Sequence, residues 1–378
     1  MNHTADVIII GGGIAGCSTA YYLARSGVTN VIVLEGSDSI GHGGSSRNGG
    51  GVRQSGRDVR ELPIVMYGIR NLWPYLSEEL GVDTEYTQKG NLRLGKTQAH
   101  YEKLKKLADN CRASGLDVRM VDGKEVREIC PCLSQEITCA SWCPTDGHAN
   151  PLVTTLGFYR KALEMGVRFF TGAKVKGLRK IRGKLREVIL DDGTVFETDT
   201  VVLSAGYASR YIMRTVGLEV PMISHLEQVF VTEREPKMFD IMLGTADADF
   251  YGHQASNGTF VWGSDSGLEI GLDQSLDNVQ TYDLSLGATC RAVEGYIPLL
   301  ADAKIVRFWG GWLDMTADGT YIMGPVEEVP GLLLACGFNG HGFGTGPAVG
   351  YIMAKLAMGE EPPVDIRPLR YDRFMSNK

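Results

Sequence analysis

Short apolar runs separated by glycine-rich turns mark the first part of the chain. Residues 5–10 and 30–35 are β-branched runs of the kind found in parallel strands that are buried on both faces. Between them the sequence predicts a helix over residues 14–25 that ends at Gly27 in the left-handed conformation. This order of strand, glycine turn, helix and strand predicts a βαβ unit.

Beyond this unit the apolar pattern changes between helical and strand periods. Residues 219–318 are dominated by alternating strands, whereas residues 331–360 return to strand, glycine loop and helix, with Pro347 taken as the start of that helix. The other predicted elements are helices over 62–80 with a kink at Pro74, 98–114, 150–166 and 283–296, and strands over 84–95, 200–206, 226–233 and 258–265. The pattern predicts an α/β layer interrupted by a mostly antiparallel β layer.

Composition excludes several classes of protein. The 378 residues carry a formal charge of −7 and are 43% hydrophobic, which excludes a disordered or fibrous chain and argues against nucleic acid or an anionic membrane as a main partner. No run approaches the roughly 20 apolar residues of a membrane-spanning helix. The eight cysteines follow no recognisable export signal, so we expect free thiols in a reducing cytoplasm. The pairs Cys130-x-Cys132 and Cys139-x-x-x-Cys143 lack the usual metal spacing, and no metal site is predicted.

The first glycine turn carries the spacing of a dinucleotide site. Gly11, Gly13 and Gly16 lie between the predicted strand and helix, where glycine allows a tight turn, a close approach of the backbone to a pyrophosphate and close helix packing. Glu35 follows 19 residues after Gly16, where a carboxylate can accept a hydrogen bond from a ribose hydroxyl. The motif itself leaves both NAD and FAD open, because both contain an ADP half.

A second glycine loop favours a flavin. Residues 337–347 precede a helix, so several backbone N–H groups and a positive helix end converge at one point. Such a point stabilises the charge that develops at the pyrimidine end of a reduced flavin, which a nicotinamide does not require. A third segment, 41–56, is too rich in glycine for a helix or strand and is either flexible or wrapped around a ligand.

These motifs together resemble a known family. The segments that carry the resemblance are VIIIGGGIAG with LEGSD, GGSSRNGGGVRQSGRDVREL, DGHANP, TVVLSAG, WGGWLDMTADGTYIMG and GFNGHGFG. The chain resembles the D-amino-acid oxidase family of FAD-dependent amine oxidoreductases, and most closely the branch of glycine oxidase, sarcosine oxidase β subunits and proline and opine dehydrogenase subunits.

The resemblance implies a fold and a cofactor site. It implies a glutathione-reductase-like (Rossmann) α/β domain that binds FAD without a covalent bond, formed by residues 1–85, 147–218 and 320–378, and a mostly antiparallel β-sheet substrate domain formed by residues 86–146 and 219–319. The residues that the motifs and the resemblance assign to the cofactor are Gly11, Gly13, Ile14, Ala15, Gly16, Glu35, Gly36, Ser45, Ser46, Asn48, Gly49, Gly50, Val52, Val175, Gly206, Gly340, His341, Gly342, Phe343 and Gly344.

The resemblance also implies substrate and catalytic residues. The family holds an amino-acid carboxylate with an arginine and a tyrosine, which correspond to Arg53 and Tyr251. A structural ion pair for Arg53 and a strand aromatic for Tyr251 are the alternative interpretations. His341 and the loop amides that follow it are expected to stabilise reduced flavin. His225 and His253 flank the substrate strands, although structural roles are favoured for both.

Several positions depart from the family pattern. The carboxylate arginine of glycine oxidase corresponds to Leu313, which makes plain glycine a doubtful substrate. The cysteine that bonds FAD in monomeric sarcosine oxidase would fall near Gly311, and its two flavin-side lysines would fall in residues 259–262 and near Gly344. Direct use of oxygen is therefore in doubt. The histidine that carries a second flavin, FMN, in tetrameric sarcosine oxidase corresponds to Asn150, so a second flavin is expected only in a heteromeric complex.

The sequence as a whole predicts FAD-dependent oxidation of the C–N bond of an amino acid. The expected substrate has a carboxylate and a secondary amine, as in sarcosine, proline or an opine-like N-carboxyalkyl compound, and a hydride equivalent passes to flavin N5 to give an imine that water hydrolyses. Two alternatives stay open. The chain is either a self-sufficient oxidase that releases peroxide, as a homo-oligomer for example, or the flavin subunit of a heteromeric dehydrogenase with an α-type partner. A flavin-dependent hydroxylase is disfavoured because no second nucleotide motif is found.

Overall fold

The computed structural model describes residues 3–265 and 279–375. Within these residues the α-helices are α1 Ile14–Arg25, α2 Leu62–Asn71, α3 Leu76–Leu80, α4 Gln98–Ala113, α5 Gly123–Ile129, α6 Pro151–Glu164, α7 Ser209–Arg214, α8 Asp283–Tyr296 and α9 Gly342–Ala357. The strands are β1 Val7–Ile10, β2 Val31–Leu34, β3 Gly51–Val52, β4 Asn91–Gly95, β5 Arg119–Asp122, β6 Cys139–Cys143, β7 Gly147–His148, β8 Arg168–Phe170, β9 Val175–Ile181, β10 Lys184–Leu190, β11 Val195–Glu197, β12 Val201–Leu203, β13 Met222–Arg234, β14 Met242–Thr245, β15 Tyr251–Gln254, β16 Thr259–Asp265, β17 Ile305–Thr316, β18 Ile322–Pro325 and β19 Leu332–Cys336.

A six-stranded sheet forms the first layer, in the order β18-β19-β12-β1-β2-β8. All neighbours are parallel except β18, which runs antiparallel to β19 at the edge. The β1 side chains alternate between two cores: Val7 and Ile9 pack in the core that contains α1 and α9, whereas Ile8 and Ile10 pack in the core that contains the β9–β11 sheet and α7. Burial on both faces explains the continuous apolar run in the sequence.

An eight-stranded sheet forms the second layer, in the order β17-β13-β16-β15-β14-β4-β6-β5. Its pairs are antiparallel except β4 with β14. A parallel sheet covered on both faces beside a mostly antiparallel sheet confirms the predicted fold class. The strands of the six-stranded sheet fall in the residue ranges predicted for the FAD domain, and those of the eight-stranded sheet fall in the ranges predicted for the substrate domain. The domain boundaries themselves stay a prediction. The predicted ranges also include residues 1–2, 266–278 and 376–378, which lie outside the described residues.

Helices α1 and α9 pack side by side at very close range. A Cβ at Gly346 would overlap the side chain of Ile14, and one at Gly350 would overlap Ser18. The Ser18 hydroxyl donates a hydrogen bond to the Gly346 carbonyl at 2.9 Å. Because Ile14 meets Gly346 and Ser18 meets Gly350, the helices run in the same direction, and their N-termini lie at the same end of the pair.

Most elements agree with the sequence pattern, and three differ. The predicted helix over 62–80 is broken, because α2 ends at Asn71 and a 3₁₀ turn at Trp73–Tyr75 precedes α3. Only residues 91–95 of the predicted strand 84–95 are extended in the sheet. Helix α9 begins at Gly342, so the prediction that Pro347 marks its start was wrong. Glycines in the first turns hid this start, since packing rather than helix propensity holds them there.

Two further observations bear on the setting of the protein. Within the described residues, no helix combines the length and the apolar character needed to cross a bilayer. All eight cysteines are free thiols.

Candidate functional site

The turn before α1 has the geometry that the glycine motif predicts. Gly11 has φ +109°, and a Cβ there would overlap the carbonyl of Ser204. A Cβ at Gly16 would overlap the carbonyl of Gly11, so the helix can start close to the strand only without a side chain. Gly206, with φ +53°, follows β12 beside this turn. Glycine at both positions therefore lets the backbone of the turn lie close to the N-terminus of α1.

Ser45 and Glu35 both bind to this turn. The Ile14 N–H donates to Ser45 Oγ at 2.9 Å, which places the 41–56 loop across the N-terminus of α1. The Glu35 carboxylate accepts from the Gly12 N–H at 2.6 Å and the Ser37 N–H at 2.8 Å. Each of its oxygens keeps acceptor capacity for a ribose hydroxyl. The Glu35 carbonyl also accepts from the Ala173 N–H, which brings the start of β9, with the predicted cofactor residue Val175, close to Glu35.

Asn48 fixes the glycine segment of the same loop. Its side-chain N–H₂ donates to the Gly44 carbonyl at 2.9 Å, and its Oδ1 accepts from the Gly50 N–H at 2.9 Å. Val52, which follows, is fully buried. Ser46 and Asn48 also line a cavity of about 430 Å³. The loop is therefore held by hydrogen bonds within this segment.

The two glycine-rich segments meet. A Cβ at Gly344 would lie 2.7 Å from the Gly51 carbonyl oxygen and 3.1 Å from the Val52 Cα. The Trp73 indole donates to the Gly344 carbonyl at 2.9 Å, and the Phe343 ring packs edge-on against Trp73. Position 344 therefore has no room for the lysine found in monomeric sarcosine oxidase, and the start of α9 lies directly against the 49–53 segment.

Asp314 holds the second loop in place. Its carboxylate accepts from the Gly337 N–H at 2.7 Å and from the Phe338 N–H at 3.0 Å, while its carbonyl accepts from the Asn339 N–H at 3.1 Å. Burial raises the pKa of Asp314 to about 6, although the two N–H donors oppose the rise. The local sequence pattern does not reveal this role of Asp314, because the contact joins β17 to a loop 23 residues away.

His341 is bonded to a buried carboxyl that the sequence analysis also missed. His341 Nδ1 lies 3.1 Å from Glu61 Oε2, and the Glu61 side chain is fully buried. Arg57 Nη1 lies 3.7 Å from the same carboxyl. Burial raises the pKa of Glu61 to about 7, an effect that the Arg57 charge opposes. Glu61 Oε1 has no hydrogen-bond partner among the described residues. His341 is therefore oriented at the N-terminus of α9 by a group 280 residues away.

Arg53 and Tyr251 belong to one cluster on the other side of the loop. The Tyr251 ring lies against Gly49 and Gly263, because a Cβ at either glycine would be 2.7 Å from a ring carbon. Burial, together with the charge of Glu227 and a hydrogen bond to it, raises the pKa of Tyr251 well above 10, and the nearby Arg53 charge opposes this. Glu227, on β13, was not predicted. Its Oε2 lies 3.6 Å from the Cβ position of Gly340, so the cluster adjoins the second loop.

The two candidate histidines of the substrate strands, His225 and His253, lie in different surroundings. His225 lies on β13, two residues before Glu227. His253 is buried and stacks on His148, with ring centroids 3.8 Å apart. Burial and the neighbouring His148 hold the pKa of His253 well below 6.5, so the ring is neutral. The structure therefore brings together Arg53, Tyr251 and the His341 loop. His253 lies beside them, because its Cε1 is 3.3 Å from the Cβ position of Gly50 in the 41–56 loop.

This arrangement suits a flavin dinucleotide. The α1 turn offers a glycine backbone at a helix N-terminus and a ribose acceptor at one end, and the Gly340–Gly344 segment offers backbone and a helix N-terminus at the other. The Arg53 cluster adjoins that second end. A guanidinium, a phenol and a carboxylate beside a flavin ring site can orient an amino acid.

The comparisons identify the family. A model of the DAO family, described as FAD dependent oxidoreductase, matches residues 6–356. The chain is 29% identical over 376 residues to the sarcosine oxidase subunit beta of Arthrobacter sp., covering 98% of this chain and 91% of that protein. L-proline dehydrogenase from P. horikoshii has a TM-score of 0.88 at 29% identity and 99% coverage of both chains. Glycine oxidase from Geobacillus kaustophilus has a TM-score of 0.88 at 21% identity and 98% coverage of both chains, which supports the fold alone. The family resemblance is thereby confirmed, and the chain belongs to the DAO family of FAD-dependent oxidoreductases.

Proposed function

We propose that this protein oxidises the C–N bond of an amino acid that has a carboxylate and a secondary amine. The observation that carries the proposal is the cluster of Arg53, Tyr251 and Glu227 beside the meeting point of the two glycine segments. Relatives support the choice of amine, since the names of sarcosine oxidase and L-proline dehydrogenase both refer to secondary-amine amino acids. The reaction removes two electrons and two protons from the CH–NH unit, and water hydrolyses the resulting imine.

The substrate-side residues position the amino acid. Arg53 offers a planar fork to the carboxylate, and Tyr251 adds a hydroxyl donor. Glu227, already bonded to Tyr251, supplies a negative charge near the amine. Holding the carbon next to nitrogen in one place is a positioning effect, which converts a bimolecular encounter into an oriented one.

The cofactor-side residues hold FAD, which supplies the two-electron acceptor when it is bound. We assign its diphosphate and ribose to the α1 turn with Ser45 and Glu35, and its ring to the loop around Gly340. A neutral His341 ring carries its proton on either Nδ1 or Nε2. The Glu61 carboxyl contacts Nδ1 and so determines which of the two nitrogens is protonated. Asp314 keeps the loop amides in place. The remaining cofactor residues predicted from the sequence are proposed on the same basis.

A second candidate concerns the electron acceptor. We propose that the chain is the flavin subunit of a heteromeric dehydrogenase, because Gly344 has no room for a flavin-side lysine and a relative is named as a subunit beta. A second flavin, FMN, then belongs to the complex rather than to this chain alone. The free thiols favour a cytoplasmic location.

One titration tests the function. The purified holoprotein is titrated without oxygen with sarcosine, proline, an N-carboxyalkyl amino acid and glycine, while the oxidised flavin band near about 450 nm is recorded. Bleaching by a secondary amine supports the proposal, and no bleaching by any amine contradicts it. Reduction without oxygen uptake on readmission of air supports the dehydrogenase subunit. NADH oxidation driven by an aromatic substrate supports a hydroxylase instead.

A further inference from the structure

Arg93 on β4 is a second guanidinium near Arg53 that the proposed mechanism does not use. Within residues 3–265 and 279–375, the structure gives its side chain no hydrogen bond and no ion pair. The nearest acidic neighbour, Asp146, is occupied elsewhere, since its carboxylate accepts from the Gln54 N–H, the Ser55 N–H and hydroxyl, and the Asn91 amide. Among the described residues Arg93 therefore makes no direct contact with a carboxylate, and the Asp146 charge acts on it only from a distance.

The sheet register places Arg93 on the substrate side. Arg93 lies opposite Gly244, Gly244 lies opposite Tyr251, and Tyr251 lies opposite Gly263. Residues opposite each other on neighbouring strands present their side chains to the same face. Arg93 and Tyr251 therefore share a face, and the glycine between them leaves that face open.

The neighbours of Arg93 along β4 confirm its direction. Leu92 and Leu94 pack into the apolar core on the opposite side of the sheet. Tyr251 lies against Gly49 of the flavin-side loop. Because side chains alternate along a strand, Arg93 points toward the same side as Tyr251.

Arg93 and Arg53 are neighbouring positive charges. Arg57 is paired with Glu61, whereas Arg93 and Arg53 are close enough that the Arg53 charge helps burial to lower the pKa of Arg93 to about 10. Arg93 is thus still charged at neutral pH. Neither guanidinium forms an ion pair with a described residue, so a bound anionic group can pair with both of them.

We propose that Arg93 binds a second carboxylate of the substrate, so that the substrate is a secondary-amine amino acid with two acidic groups. This inference rests on the proposed function, in which Arg53 takes the first carboxylate. The second carboxylate belongs either to the substituent on nitrogen or to the amino-acid side chain. In both cases the two guanidinium groups select against sarcosine and proline, which have one carboxylate each.

The binding of thioether analogues tests whether Arg93 binds a second carboxylate. These analogues have no amine to oxidise, so binding is measured without turnover. Calorimetric titrations of the holoprotein compare (methylthio)acetate, with one carboxylate, with thiodiacetate and (methylthio)succinate, whose second carboxylate mimics the nitrogen substituent and the side chain respectively. We expect one dicarboxylate to bind wild type on the order of 10- to 100-fold more tightly than the monocarboxylate.

Variants test whether the preference for a dicarboxylate depends on Arg93. Arg93→Gln should remove that preference while changing the monocarboxylate Kd less than about threefold, and Arg93→Lys should restore part of it. Arg179→Gln is the control, since Arg179 pairs with Glu187 on the exposed β9–β10 hairpin, and it should leave both affinities unchanged. If Arg93→Gln does not fold, the titrations of Arg93→Lys and of wild type test the role of Arg93 instead.

The outcomes distinguish the two proposals. Equal wild-type affinities for mono- and dicarboxylates, or equal losses of both in Arg93→Gln, overturn the role of Arg93. Reduction of the flavin by sarcosine as efficient as by N-(carboxymethyl)alanine and by N-methylaspartate overturns the dicarboxylate substrate but leaves the proposed function standing. Failure of every amine to reduce the flavin, with the binding preference intact, overturns the proposed function alone.

Discussion

The buried carboxyl of Glu61 gives the stability of the fold a defined pH dependence. Glu61→Gln removes the ionisable group but keeps a side chain of similar size at the contact with His341. We expect wild type to lose more free energy of unfolding than this variant as the pH rises from 5.5 to 8.5.

The magnitude follows from the pKa. Glu61 has a pKa of about 7 in the folded protein, against an ordinary value of 4.5. Because one pKa unit corresponds to about 1.4 kcal/mol, ionisation costs the fold about 3 kcal/mol. A folded-state pKa above the unfolded value gives stabilisation that is complete below pH 4.5 and is lost as the pH rises through about 7. Between pH 5.5 and 8.5 this loss amounts to about 2 kcal/mol.

Urea unfolding of the holoprotein at saturating FAD measures the effect at several pH values. Wild type should lose about 2 kcal/mol more than Glu61→Gln across this range. Only the difference in slope is predicted, because the variant also changes the partner of Arg57. The control Glu128→Gln, at an exposed glutamate, should follow the wild-type slope. Parallel pH profiles for wild type and Glu61→Gln would refute the assignment of a raised pKa to Glu61.

Three further predictions concern the site. Gly350→Leu should separate α1 from α9, because Ser18 fills the space, and equilibrium dialysis should show weakened FAD binding; unchanged binding would contradict the close packing. Arg53→Gln should raise the Kd of a carboxylate substrate analogue on the order of 10- to 100-fold with FAD content unchanged; an unchanged Kd would assign Arg53 a structural role. Asp314→Asn should lower the free energy of unfolding by about 1–3 kcal/mol, because one loop N–H loses its acceptor; urea unfolding checks this, and a neutral result would contradict the anchoring role.

Local patterns predicted much of the fold, and long-range contacts account for what they missed. The βαβ unit and the Gly11 turn follow from neighbouring residues, so periodicity and glycine spacing were sufficient. Glu61 and Asp314 could not be found in this way, because each acts on a loop that only the folded chain brings near. The start of α9 was hidden because its glycines are helical through packing against α1. Arg93 gains its position only from the register of four strands.

The recovery of FAD tests the central claim that the two ends of the chain hold one FAD between them. Protein purified from cells with ample riboflavin is denatured with acid, and the released flavin is separated from the polypeptide and quantified. The structure predicts one FAD per chain, all of it in the soluble fraction. A colourless protein that takes up no FAD, or flavin that stays with the denatured polypeptide, would contradict the account.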